Sequence, residues 1–250
     1  MPKLSEMTSV PKKILLYGEP GCGKTALALT LGERAIYADF DRGLQTGITL
    51  QDRFTKDRNQ ADIITFYDDD PRKVEAFSRF KQYVIKLCDE AFQGKHKGKV
   101  LVIDSLTAMI ECALNNVLSN SGHLGQNPGI QEYGLAQTEV TNVMRILRST
   151  KIHFICLAHV YVYQESQGLN SPEITKRKIY IQGNKLEPKI TPYFDEIWYM
   201  EVKGGKRWLK TLNTGTLMAR TRSNLNKEID LTDTAMFALF KLIGEDLQAS

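Results

Sequence analysis

The sequence predicts an α/β fold: a mainly parallel sheet with helices on both faces and an antiparallel C-terminal extension. Three observations predict it. Short apolar runs alternate with helix-period segments up to Val160, the pattern of a parallel sheet covered by helices. A glycine-rich turn, "GEPGCGKT", joins the first apolar run to the first helix. From Tyr161 the rhythm changes to short strand-like runs broken by turns.

Each element follows in order. Lys13 to Tyr17 is a short apolar run with β-branched and aromatic character, read as a buried strand. Thr25 to Gly32 is rich in Ala and Leu, read as a helix. "RAIYADFD" is a second strand ending in Asp39 and Asp41, and "ADIITFYD" a third. Asp70-Pro71 reads as an N-cap with proline at the first helical position. The helix after it carries Val74, Phe77, Val84, Leu87, Cys88 and Ala91 at helical spacing. "KVLVIDSLTAM" gives a fourth strand turning into a helix, and "SNSGHLGQNPG" a polar loop. "IQEYGLAQTEVTNVMRILRST" is a long helix, and "KIHFICLAHV" a buried strand. Beyond it, two strands flank a long loop, and "FDEIWYMEV", "KRWLKTLN" and "TLMARTR" read as short strands. The expected organisation is a loose arm at 1–10 and one domain at 11–250. That domain includes a basic antiparallel extension at about 161–228 and an amphipathic helix at 230–248.

Composition bounds the class. The chain has 250 residues and 42% hydrophobic content, ordinary for a globular protein. No apolar run approaches the ~18 residues needed to span a bilayer, and the first residues lack the apolar centre of a secretion signal. A membrane partner is not expected. Cys22, Cys88, Cys112 and Cys156 stand far apart, against a zinc site or disulfide framework and in keeping with a reducing cytoplasm. The net charge of +4 is only mildly basic.

The turn carries the chemistry. Gly18, Gly23, Lys24 and Thr25 fill G-x-x-x-x-G-K-[ST], a phosphate-binding loop. Its glycines let backbone N–H groups wrap an anion, and the helix start adds partial positive charge. Gly18, Glu19, Pro20, Gly21, Cys22, Gly23, Lys24, Thr25 and Ala26 are the expected contact segment for ATP. Cys22 is read as spacing only. Lys24 reaches the β- and γ-phosphates, and the Thr25 hydroxyl ligates Mg²⁺. "VLVIDS" ends a strand in Asp104, at the sheet edge where ligands gather. Asp104 is expected to hold Mg²⁺ through water.

The order of these segments ("GEPGCGKT", "ADFDRGL", "VLVIDSLT", "EYGLAQ", "CLAH") resembles the RecA-type ATPase core. It is most similar to compact phage-encoded ATPases of the RecA-like group linked to single-strand annealing and recombination. The resemblance runs from about Lys12 to Asn224. It implies a RecA-like P-loop NTPase fold and Mg²⁺-dependent ATP hydrolysis in the cytoplasm, the host's if the chain is phage-encoded. It also implies single-stranded DNA as partner and a homo-oligomer, ring or filament. RecA-type enzymes place a water-polarising glutamate where Asp41 stands. A reach deficit of about 1 Å can cost on the order of a hundredfold in rate. Either hydrolysis is slow, or Asp39 or Glu19 takes the part. His159 stands where the family carries a γ-phosphate sensor.

The following segment is where the family contacts DNA, and it holds Tyr161, Tyr163, Lys176, Arg177, Lys178 and Tyr180. Tyr161 to Glu228 contains 12 Lys and Arg against 7 Asp and Glu, an excess that exceeds the chain's whole net charge. Arg220 and Arg222 are candidates for cations supplied across a subunit interface, with Lys203, Lys206 and Arg207 competing. Two alternatives stay open at this point: a small-molecule kinase, for which Arg42 and Arg53 are sparse lid candidates, and a nucleotide-gated assembly protein.

Overall fold

The computed structural model describes residues 11–43, 61–166, 173–182 and 186–232. The arm at 1–10, Arg53 and almost all of the helix expected at 230–248 lie outside the described residues.

The parallel strands are β1 (Lys13–Gly18), β2 (Ala35–Asp39), β3 (Asp62–Thr65), β4 (Val100–Asp104) and the first half of β5 (His153–Glu165); β7 (Glu196–Lys203) joins them beside β1. β8 (Lys206–Lys210) and β9 (Glu228–Asp230) continue the sheet antiparallel, giving the order β3-β2-β4-β5-β1-β7-β8-β9. The second half of β5 leaves this sheet and pairs antiparallel with β6 (Ile174–Ile179). The expected fold class is therefore observed.

β1, β2 and β4 are buried along their whole length. This is why they read as unbroken apolar runs rather than alternating ones. Leu15 and Tyr17 face α2 (Ala76–Phe92), α3 (Leu106–Asn120) and α4 (Ile130–Ser149), where Phe77, Phe80, Met109, Val140 and Met144 complete one core. Ile14 and Leu16 face the other way, onto Leu27 and Ala28 of α1 (Lys24–Leu29), with Trp198, Met200 and Leu209. Asp39 and Asp104 are polar exceptions at the ends of β2 and β4, and Lys13 is one at the start of β1. Its Nζ donates to Thr150 O (2.9 Å) and Ile152 O (2.5 Å) beneath the Phe154 ring, and burial lowers its pKa to about 7.

Three boundaries differ from the sequence reading. α2 starts at Ala76, not at Pro71. Asp68 accepts from Glu75 N (3.1 Å) and Ala76 N (3.0 Å), whereas Asp70 spends its carboxylate on the backbone and guanidinium of Arg72. "TLMARTR" is not a strand; its backbone pairs with the sheets through single bridges, Arg177 to Leu217 and Ile197 to Arg220. The edge of β8 is taken instead by β9, which straddles the boundary between the extension expected at about 161–228 and the helix expected at 230–248. Its hold is Leu231, 1% exposed in the α1-side core. A short helix α5 (Glu187–Ile190), with a proline in its first turn, was not foreseen.

Candidate functional site

Register assembles the site. Gly18 pairs with His159 on one side and Met200 on the other, while Asp39 pairs with Asp104, so all lie along the C-terminal edge of the parallel strands. Gly18 ends β1 because nothing larger fits: a Cβ there would lie 2.1 Å from Met200 O. Gly21 and Gly23 have φ of 77° and 106°, left-handed values that glycine adopts without steric cost. The loop thereby turns straight into α1, and Leu27 N donates to Gly23 O (2.8 Å).

Lys24 is 8% exposed, and its Nζ donates to Gly18 O and Glu19 O, both 2.9 Å away. Its charge is thus held inside the loop. The Cys22 thiol sits 3.8 Å from the same Nζ, packs against Gly18 and has its pKa pushed up by burial. Cys22 is thus part of the loop's packing and not merely spacing.

Thr25 Oγ1 donates to Asp104 Oδ2 (2.8 Å), and the Tyr37 hydroxyl donates to the same oxygen. Asp104 is 5% exposed. Burial raises its pKa, and the two hydroxyl donors counter only part of that. Asp39 is fully buried; its Oδ1 accepts from Asp41 N and Gly43 N (3.1 Å each), and its Oδ2 has no hydrogen-bond partner. Asp39 therefore shapes the turn that carries Asp41. Gly43 belongs to that turn, and a Cβ on it would lie 3.0 Å from Asp104 Oδ2.

These oxygens suit Mg²⁺, a hard cation usually bound by one or two protein groups together with substrate phosphates. No cluster of three His, Cys, Asp or Glu among the described residues offers an all-protein cage. Thr25 and Asp104 are the residues that would hold the metal. Tyr37, missed in the sequence reading because it looked like a core aromatic, orients Asp104. Tyr37→Phe should cost about tenfold in Mg²⁺ affinity, as loss of a ligand's outer hydrogen-bond partner typically does. Metal-dependent nucleotide binding by calorimetry checks this.

Asp41 and His159 are half-buried and touch, with His159 Nε2 3.2 Å from Asp41 Oδ2. The His159 hydrogen bond is the main cause holding the Asp41 carboxyl below its usual range, with Ser105 Oγ adding a second donor at 3.2 Å. The same Ser105 hydroxyl caps α3 by accepting from Ala108 N (3.2 Å). Ser105 was not singled out in the sequence, where it looked like an ordinary residue after a strand.

Beyond His159, β5 runs into the hairpin. Tyr161 stacks on Tyr163 (5.8 Å between centroids) and on Tyr180 (6.3 Å), and Lys178 Nζ lies 5.5–5.7 Å from the first two rings. Register explains the cluster: Tyr161 faces Lys178 and Tyr163 faces Lys176 across the ladder, on one side of a two-residue repeat. Lys176 pairs with Glu165, and Lys178 lies 3.7 Å from Glu187. Arg177 departs from its expected place. It points to the opposite side of β6, and its Nε is buried without a hydrogen-bond partner.

Arg220 and Arg222 lie at the opposite end of the sheet, where Arg220 bridges Ile197 near the start of β7. The Arg220 guanidinium is turned inward, donating to Thr191 O (3.2 Å) and Phe194 O. Arg222 is 57% exposed and pairs with Asp195 (2.9 Å). Neither reaches its own chain's phosphate loop. Arg42 pairs with Asp69 (3.1 Å) and lies over Tyr67.

A phosphate loop opening α1, an acid ending β4 and a parallel sheet joining them define a P-loop nucleotide-binding core. Residues 10–223 match the family described as AAA domain, and the chain belongs to that family. No curated protein matches. Among solved structures, the chain is similar to an ATPase of the type III secretion system of pathogenic bacteria. There the identity is 15%, the TM-score 0.48, and coverage 77% of this chain and 51% of the other. The chain thus spans about half the length of that relative. It is also similar to the flagellar accessory protein FlaH from Methanocaldococcus jannaschii, at 12% identity and TM-score 0.43, with 90% and 86% of the two chains covered. No helix among the described residues is long and apolar enough to cross a membrane.

Proposed function

We propose that the chain is an ATP-driven, single-strand-DNA-binding ATPase that acts as an oligomer in phage-type recombination or annealing. One observation carries the reading. The strand that presents His159 to the nucleotide site continues without a break into the Tyr161–Tyr163–Tyr180 face. Aromatic faces stack on unpaired bases, and neighbouring lysines neutralise backbone phosphates.

In this reading Thr25 and Asp104 would hold Mg²⁺, which would supply positive charge beside the triphosphate. Lys24 does the same at the β- and γ-phosphates. The attacking water's oxygen bonds to the γ-phosphorus while the bond to the β–γ bridging oxygen breaks. ADP and inorganic phosphate leave, and the water's proton is released. Asp41, held ionised by His159 and Ser105, is a weak base, so its part is to orient the water rather than to remove its proton early. His159 lies 3.2 Å from Asp41 and in this reading senses the departing phosphoryl group. Its backbone N–H accepts no freedom to drift: it donates to Thr107 Oγ1 (3.2 Å), which itself donates to Tyr180 O (3.2 Å), and Tyr180 N donates to His159 O (2.8 Å). A shift at His159 therefore moves the tyrosine face. Arg222, at the surface, remains a candidate cation for a neighbouring subunit's site.

The test measures ATPase rate and oligomer size together, with and without single-stranded DNA. Turnover should rise with DNA, and assemblies should grow. Tyr161→Ala should weaken DNA binding by about 1–3 kcal/mol. Lys178→Ala should lower the slope of log affinity against log salt by about 0.7. Turnover indifferent to any nucleic acid, or a flat salt response, would remove the DNA partner and favour the nucleotide-gated assembly protein.

A further inference from the structure

Arg207 sits against the phosphate loop of its own chain. A Cβ on Gly23 would lie 3.2 Å from Arg207 Nε and 3.6 Å from its Cδ, with Met200 Cε at 3.3 Å. β8 holds the residue there rigidly. Arg207 N donates to Thr232 Oγ1 (2.9 Å), and Arg207 O accepts from Leu231 N (2.8 Å). The cations around it are engaged: Lys206 lies 3.3 Å from Asp230, and Lys210 lies 2.8 Å from Glu201. The Arg207 side chain is exposed, and no ion pair engages it among the described residues.

The strand order says which part of a nucleotide would meet it. Asp104, Asp41 and His159 all stand on the β2-β4-β5 side of β1. A triphosphate whose terminal phosphate faces those groups must run its sugar and base the other way. On that side of β1 come β7 and then β8, from which Met200 and Arg207 reach Gly23 of the loop. A guanidinium is planar and stacks on an aromatic face, and a thioether packs well beside one.

We propose that Arg207 is a nucleotide-binding residue acting in cis, its guanidinium stacking on the purine base with Met200 flanking it. This rests on the nucleotide reading above and adds to it the base contact. It also removes Arg207 from the cations available to a neighbouring subunit.

The test compares ATP, ADP and inorganic tripolyphosphate binding to Arg207→Ala and Arg207→Met, at protein dilutions where light scattering finds single chains. Both variants should bind ATP and ADP about tenfold more weakly and tripolyphosphate as the unchanged protein does. Arg207→Met keeps the apolar stem, so a loss shared by both variants with unaltered unliganded melting is not a folding defect. Unchanged ADP affinity overturns the proposal. So does an equal loss for tripolyphosphate, which would make Arg207 a phosphate contact. Lys24→Ala in the same assay should lose tripolyphosphate as well. If it binds all three normally, the nucleotide reading itself fails, whatever Arg207 does.

Discussion

Lys24→Ala should abolish measurable ATP turnover, a loss of at least about 10²–10³ in kcat/KM. The ammonium is the only side-chain cation seated within the loop, and donors aimed at developing phosphoryl charge are worth several kcal/mol in a water-poor site. The unliganded fold should survive. Lys24 Nζ bonds two loop carbonyls, Gly18 O and Glu19 O, and a typical hydrogen bond nets about 1 kcal/mol. Lys24→Arg should not rescue, because a forked guanidinium cannot replace a compact ammonium between those carbonyls. Phosphate release and thermal melting on the same preparation separate the effects. Turnover within tenfold of the unchanged protein would mean that the phosphates are held elsewhere.

The parts of the site that were legible in the sequence are those whose residue types admit few other uses. Glycines at fixed spacing before Lys24 and Thr25, between an apolar run and an Ala/Leu-rich helix, have a steric reason that the structure displays at Gly18 and Gly23. Asp104 was legible because an acid ending an apolar run must sit at a strand end. Tyr37 and Ser105 were not legible. One sits inside a buried strand and looks like core; the other looks like an ordinary residue after a strand, and the structure shows that it also caps α3. Their second role depends on β2 lying beside β4, and nothing local to either residue specifies that neighbour. Arg177 shows the same limit on a smaller scale. In "ITKRKIYI" its charge reads like that of Lys176 and Lys178, and only the strand register decides that it faces the other way. β9 was not foreseen because three residues are too few to show a period of two.

Asp104→Asn should act in opposite directions on turnover and on stability. The carboxylate is 5% exposed, and burial raises its pKa even though Tyr37 and Thr25 donate to it. A carboxyl whose folded pKa is raised binds its proton more tightly in the folded than in the unfolded state. Its stabilising contribution is complete below the unfolded pKa and is lost as pH rises through the folded one. Wherever Asp104 is ionised, the unliganded protein carries a buried charge that the isosteric amide lacks. Without metal, Asp104→Asn should melt higher, by about 2–4 °C for each kcal/mol relieved. The same charge is what draws Mg²⁺, and metal and proton compete for it. In the unchanged protein, Mg²⁺ affinity should therefore rise with pH across the range in which Asp104 ionises. In Asp104→Asn that dependence should flatten, and Mg²⁺-dependent turnover should fall by about 10²–10³. Such an exchange of stability for function is the expected mark of a binding acid kept in an unfavourable place. A variant that melts lower without metal, yet keeps the pH dependence of Mg²⁺ binding, would show that Asp104 is a structural cap on β4 and that the metal is held by other groups.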